Sequence, residues 1–171
     1  MTKLQKILWF VLLVLGVFLC IALWYKVTYS MDVAESYEIH ASASSKRLLI
    51  ATQGSDFKDS VVQEVVTQFK ADSLAIKVID VSGLAKIDPN DYTALLLIHT
   101  WENWKPPKEI EKFIHRTKIN QDKIVVITTS GDGSYHMDGM DAITGPSKPE
   151  NIRPMAEDAI KRLQSILERT P

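Results

Sequence analysis

The sequence predicts a three-layer α/β domain built on a parallel sheet and carried on one N-terminal membrane-spanning helix. Three observations predict it. Residues 7–25 form an uninterrupted run of 19 uncharged residues in which only Gly16, Cys20 and Ala22 depart from large hydrophobes. Beyond residue 46, short strings that are almost wholly apolar alternate with stretches of helical periodicity, the pattern of strands buried on both faces between amphipathic helices. The roughly 125 residues from Lys46 onward suit one domain with a real core.

The apolar run comes first. At about 1.5 Å per residue, a helix of this length covers a hydrocarbon core of roughly 30 Å. Its distal end, Leu23-Trp24-Tyr25-Lys26, lacks the small residues of a cleavage site, and Leu19 before Cys20 does not fit a lipidation site. A signal-anchor is therefore expected rather than a cleaved leader. Trp9 at one end and Trp24 and Tyr25 at the other stand where amphipathic rings prefer the two water interfaces. Lys3, Lys6 and the terminal amine precede the run, whereas Lys26 alone follows it before the acidic Asp32, Glu35 and Glu38. The positive-inside tendency then puts the N-terminus in the cytoplasm and the domain outside. The expected organisation is a flank at 1–6, a transmembrane helix at 7–25, a tether at 26–45 ending in Ala41-Ser42-Ala43-Ser44-Ser45, and the domain at 46–171.

Within the domain, Arg47-Leu48-Leu49-Ile50-Ala51-Thr52 reads as a buried strand. Val61, Val62, Val65, Val66 and Phe69 then recur at helical spacing. Residues 74–81 read as a second strand, and residues 94–99 as a third, entered from a turn at Asp88-Pro89-Asn90-Asp91. Pro106 and Pro107 mark a helix start whose inner face is Ile110, Phe113 and Ile114. Residues 123–128 make a fourth strand, and residues 141–144 a very short one after a Gly- and Asp-rich loop. The last helix shows Ile152, Met155, Ala156, Ala159, Ile160, Leu163, Ile166 and Leu167 on one stripe. Asn151 is expected to cap it rather than the box Ser147-x-x-Glu150, since that leaves Pro154 in the first turn, where its missing N–H costs nothing.

Charge and cysteine narrow the function classes. The chain has 20 basic and 21 acidic side chains, and the domain 17 and 18, so a nucleic-acid binder relying on bulk positive charge is not expected. The single cysteine lies in the membrane run, which leaves the domain without an internal disulfide or a multi-cysteine metal site.

Open parallel sheets bind ligands beyond the carboxyl ends of their strands. Three loops converge there: residues 52–60, 100–104 and 130–139. The order of elements and these loops resemble the flavodoxin-like family over residues 46–169. That resemblance implies a five-stranded sheet in order 2-1-3-4-5, with flavin mononucleotide (FMN) held by its phosphate in the first loop and by its ring between the second and third. Thr52, Gly54 and Ser55 match the phosphate loop. Thr100, Trp101 and Trp104 match the aromatic second loop, and Gly131-Asp132-Gly133-Ser134-Tyr135 resembles the Gly-Asp-Ser-Ser-Tyr stretch of many flavodoxins. The departure is in the first loop, where Asp56, Phe57 and Asp59 replace further hydroxyls. Two carboxylates there oppose a phosphate, or serve as first-turn acids of the helix, and Lys58 offsets one of them.

Asp141-Ala142-Ile143-Thr144-Gly145-Pro146-Ser147 resembles the signature at which FMN is joined covalently to a hydroxyl in some exported redox proteins, with Ser147 in the acceptor position; read plainly, it is an edge strand followed by turn and cap residues. His136 with Asp132, Asp138 and Asp141 has no recognised metal-ligand spacing. His99 at a strand end is better placed for function than His115, which falls on a solvated helix face. No catalytic set can be read from spacing. The expectation is thus a membrane-anchored flavodoxin-like protein that uses FMN for electron transfer or reduction beside a redox partner, or else a non-enzymatic binding or assembly module of a membrane complex.

Overall fold

A computed structural model describes residues 2–29, 31–39, 45–70, 74–102, 104–135 and 139–169, with the backbone alone at 26–29. The chain divides into two units, residues 1–31 and residues 32–171. The first is a single helix, α1 (Lys3–Tyr29). It extends beyond the apolar run at both ends, and residues 3–25 are long and apolar enough to cross a membrane.

In the second unit the elements follow as β1 (Tyr37–Ile39), β2 (Arg47–Thr52), α2 (Asp56–Phe69), β3 (Ala75–Asp80), β4 (Ala94–Thr100), α3 (Lys108–Arg116), β5 (Ile124–Thr129), β6 (Ala142–Gly145) and α4 (Pro149–Arg169). Short 3-10 turns at residues 81–86 and 89–91 replace a helix between β3 and β4. The sheet order is β1-β3-β2-β4-β5-β6. The five strands β2 to β6 are mutually parallel and follow the expected 2-1-3-4-5 order, which is the flavodoxin-like winding.

The sixth strand, β1, corrects the expected tether. Residues 32–39 belong to the domain: β1 runs antiparallel along β3, with Glu38 opposite Lys77 and an ion pair of 2.7 Å between them. A three-residue strand in an acidic stretch has no periodicity of its own, and its pairing is forty residues away in sequence. Residues 40–44 of the expected tether lie outside the described residues.

The alternation of side chains along each strand divides the core in two. Leu48, Ile50, Leu96, Ile98, Val125 and Ile127 face α2 and α4, meeting Val61, Val65, Phe69, Met155, Ala159 and Leu163. Leu49, Ala51, Leu95, Leu97 and Val126 face α3 and the first 3-10 turn, meeting Leu84, Tyr92, Ile110 and Phe113. Each fully buried aliphatic side chain contributes about 1.5–3 kcal/mol, so both faces of the sheet are firmly held and its loop edge is presented on a rigid support. α4 begins at Pro149, two residues ahead of the expected cap. Pro149 pre-sets the first turn, Pro154 lies inside the helix, and Asn151 donates its side-chain amide to the Pro146 carbonyl at 2.9 Å.

Candidate functional site

The described residues of the three predicted loops do meet at the carboxyl edge of β2, β4 and β5, and partly buried hydrogen bonds fasten them there. Gln53, 6% exposed, accepts from the Thr100 N–H at 2.8 Å and donates to the Glu102 carboxylate at 2.7 Å. The Thr100 and Thr129 hydroxyls share a hydrogen bond of 2.7 Å, and the Trp101 N–H donates to the Thr129 carbonyl at 2.8 Å. Gln53 was invisible as a site residue because its role depends on where two other loops arrive.

In the first loop the groups expected to hold a phosphate are engaged with protein. The Thr52 hydroxyl is buried and donates to the Gln53 carbonyl. The Ser55 hydroxyl caps α2, accepting from the Lys58 N–H at 3.3 Å, a role that Ser commonly fills. Asp56 and Asp59 are first-turn acids of that helix, where the dipole favours them. The Gly54 N–H donates to the Asp32 carbonyl at 2.8 Å, and the Asp32 N–H returns a bond to the Gly54 carbonyl at 3.2 Å. Residues 32–34 thus lie as a strap against the loop, held further by the Ala34 N–H donating to Asp80. A Cβ at position 54 would stand 2.8 Å from the Asp32 carbonyl oxygen. The glycine that resembles a phosphate-approach position serves here for approach of the chain itself.

Beside the strap is a cleft of about 370 Å³ lined by Asp32, Glu35, Tyr37, Thr52, Gly54, Ser55, Asp56 and Asp59. Burial, reinforced by the Asp56 charge, raises the Asp59 carboxyl above its ordinary range. Burial together with Asp59 and Glu35 raises the Tyr37 phenol. Lys58 is folded inward and 1% exposed, with its ammonium 3.3 Å from the Ser55 hydroxyl. Burial pushes it down to about 8, against the opposing pull of Glu102 and Asp59.

The ring-binding half is partly assembled. Trp101 and Tyr135 come together from the second and third loops, stacked on each other with centroids 5.3 Å apart and planes at 28°. Stacked rings sit about 4.5–7 Å apart, so this spacing belongs to a pair in direct contact, with no layer between them for a guest. Trp104 is not part of that stack. It is 75% exposed at the tip of a tight turn in which Glu102 and Lys105 exchange backbone hydrogen bonds, and its φ is 60°, a conformation uncommon for any residue but glycine. Asp132 folds the third loop by accepting the N–H and hydroxyl of Ser134, which holds its carboxyl below the usual range. Gly133, with φ 77°, lies against Gly145 and Pro146, where a side chain would collide; Gly131 has open space around it.

Under these loops, on the α3 face, lies a group of buried polar atoms. Both ring nitrogens of His99, the Thr128 hydroxyl and the Trp101 indole N–H have no hydrogen-bond partner among the described residues. His99 stands opposite Thr128 in the β4–β5 register. His99, expected to be better placed for function than His115, is fully buried, and burial lowers it to about 4. His115 is exposed. Of the metal arrangement considered, His136 and Asp138 lie outside the described residues, as does Asn103 of the second loop; Asp141 pairs with Arg162 at 3.1 Å. Ser147 is exposed in the turn from β6 to α4, on the same carboxyl edge.

No protein-family model matches the chain, and no curated protein matches it in sequence. Among solved structures, the chain is similar to the flavodiiron core from Synechocystis sp. PCC6803, with a TM-score of 0.54 at 12% identity over 74% of this chain and 37% of that one. It is also similar to a flavodoxin from the domain Archaea (TM-score 0.48, 10% identity, 70% and 98% covered) and to oxidised Flavodoxin 2 from Bacillus cereus (0.46, 18%, 70% and 99%). The topology and the first of these likenesses agree on a flavodoxin-like fold. A fold hosts many activities, and the residues at the edge decide which. Tested against FMN, they bring two aromatic rings to the edge, but stacked on each other, and do not supply a free cradle for its phosphate: the Gly54 amide and the Ser55 hydroxyl are engaged, and the carboxylates of Asp32, Asp56 and Asp59 face the same cleft.

Proposed function

We propose that this chain is a membrane-anchored flavodoxin-like module that works by binding a partner at the carboxyl edge of its sheet, without a flavin held by its phosphate. The observation that carries this reading is the pairing of Asp32 with Gly54, which fills the approach to the phosphate loop with the protein's own backbone. Acidic neighbours add to it, because a phosphate dianion would share a confined space with several carboxylates. α1 is the anchor, and the charge asymmetry around it favours a cytoplasmic N-terminus with the domain on the other side.

Electron transfer by bound FMN is the second reading, favoured by the presence of Trp101 and Tyr135 on the two loops that border the ring in the flavodoxin-like family, and it requires the two rings to part, since they stack on each other here. Bound flavin would supply one- and two-electron chemistry of its own.

One experiment separates the two. The full chain is purified in detergent, its visible absorbance is recorded, and FMN is titrated while stability is followed. A protein that leaves purification colourless and gains nothing from FMN supports the binding module. FMN at a hundredfold its dissociation constant would add about 2.7 kcal/mol, and such a gain, or near-equimolar flavin colour, would overturn it. Flavin that stays with the chain after denaturation, and no longer does so in Ser147→Ala, would place a covalent attachment at Ser147. Cysteine labelling of Lys118→Cys from either side of intact cells reads the topology, and labelling only from the cytoplasm would reverse it.

A further inference from the structure

Large apolar side chains are exposed at only a few described positions of the domain, and their placement is uneven. They are Val33, Tyr37, Trp104 and Ile119. Val33 follows the residue paired with Gly54, Tyr37 lines the cleft beside the first loop, and Trp104 tips the second loop. These three lie at the carboxyl edge of the sheet. Ile119 lies on the 3-10 turn that leads into β5, at the opposite edge.

The chain also enters the domain at that carboxyl edge. Asp32 is fixed to Gly54, Gln53 beside it is bonded to Glu102, and Trp104 stands two residues further on. Six residues, 26–31, separate Asp32 from the end of the apolar span at Tyr25. Helical residues rise about 1.5 Å each and extended ones about 3.6 Å at most, so the covalent chain reaches only about 17 Å from the hydrocarbon boundary to Asp32. The headgroup layer takes up about 5–7 Å of that distance.

Resting on the partner-binding reading above, we propose that the partner met by the carboxyl edge of the sheet is the lipid surface itself, approached through Trp104, which seats its ring in the headgroup layer. Trp is suited to this because its ring is apolar and its N–H is polar, which is why it collects at membrane interfaces. The tight turn holds Trp104 outward at positive φ rather than letting it fold back on the domain. The surrounding charges specify the lipid. Asp32, Glu35, Asp56, Asp59 and Glu102 are at this edge and Lys105 is the basic residue beside the tip, so the contact is one of ring and headgroup, favoured by zwitterionic over anionic lipid.

The inference rests on α1 spanning the bilayer, and the test separates the two. The full chain carrying Cys20→Ser, with either Trp104→Cys or Ile119→Cys, is labelled with an environment-sensitive fluorophore and placed in phosphatidylcholine nanodiscs with plain or brominated acyl chains. The expected result is at least twofold quenching of the label at 104 by brominated lipid, none at 119, and weaker quenching when phosphatidylglycerol replaces a third of the lipid. Equal quenching at both positions, none at 104, or an increase with phosphatidylglycerol overturns the proposal. A chain that fails to enter nanodiscs overturns the anchor instead. Intrinsic fluorescence of the chain with Trp9→Phe and Trp24→Phe, compared with and without Trp104→Phe, gives the same readout with the turn intact.

Discussion

Replacing Gly54 by alanine tests the strap directly. The new Cβ would meet backbone rather than a movable side chain: the Asp32 carbonyl oxygen at 2.8 Å, its carbon at 2.9 Å and the Val33 carbon at 3.0 Å. The strap must retreat by about 0.6 Å to restore ordinary van der Waals contact. Position 54 is outside the left-handed region, so alanine is not strained in itself and stiffens the unfolded chain, a gain of about 0.4–1 kcal/mol. Against that stand two backbone hydrogen bonds, each worth about 0.5–1.5 kcal/mol net. The balance is a loss of about 1–2 kcal/mol confined to the strap, since Ala34 and β1 remain tied to β3 and Asp80. Hydrogen exchange of the full chain in detergent should show the amides of residues 32 and 54 opening about fivefold to thirtyfold faster, with the amides of β2 and β4 unchanged. Gly131→Ala, which meets nothing within 4 Å, is the control and should be neutral. Protection at 32 and 54 that is unaltered by Gly54→Ala would refute the seating of the strap.

The remaining expectations concern the interior of the loop edge. Gln53→Leu strands the Thr100 N–H and removes a partner of Glu102; it should cost about 2–3 kcal/mol, read as a lower urea midpoint with unchanged slope. His99 is held at about 4 when folded and titrates near 6.5 when unfolded. The unfolded chain therefore takes up the proton first as pH falls through that interval, and stability drops; His99→Phe should flatten the acid limb and raise stability near neutrality by about 1 kcal/mol by removing unpaired nitrogens. Lys58 is held at about 8, below the ordinary lysine value, so above pH 8 the unfolded chain retains the proton longer and stability rises with pH, at no more than about 1.4 kcal/mol per pH unit. Lys58→Met should remove that rise in denaturation curves. A double-mutant cycle of Trp101→Ala and Tyr135→Ala should give a coupling of about 0.5–1.5 kcal/mol, and a value near zero would mean the rings do not stack in solution.

Much of this architecture is legible in the sequence because it is written locally. Leu-Leu-Ile-Ala at 48–51 and Ile-Val-Val-Ile at 124–127 carry their own burial, and Val61, Val65 and Phe69 carry their own helical period. Asp88 turns the chain as expected, accepting from the Asn90 N–H. Trp101 and Tyr135 stood out as loop-edge aromatics, through a resemblance over a few residues, but as rings to either side of a flavin; their stacking on each other was not foreseen. What stayed hidden is non-local. The three residues of β1 have no pattern until Lys77 is opposite Glu38, and Gly54 reads as a phosphate-loop glycine until Asp32 arrives upon it. Gln53, a polar residue after a strand, acquires its role only when Thr100 and Glu102 close around it. The start of α4 failed for another reason: two prolines five residues apart each suit a first turn, and the structure seats Pro149 there.

β1 has a consequence for assembly. A parallel sheet whose outer strand is uncovered offers a row of unpaired N–H and C=O groups on which a foreign strand can add. Here Tyr37, Glu38 and Ile39 occupy that row along β3, so a chain trimmed to begin at Lys46 would expose a ready template for self-addition. The short stretch after the apolar helix thus leaves the sheet with an outer strand of only three residues in place of one of six, a much poorer template for a foreign strand.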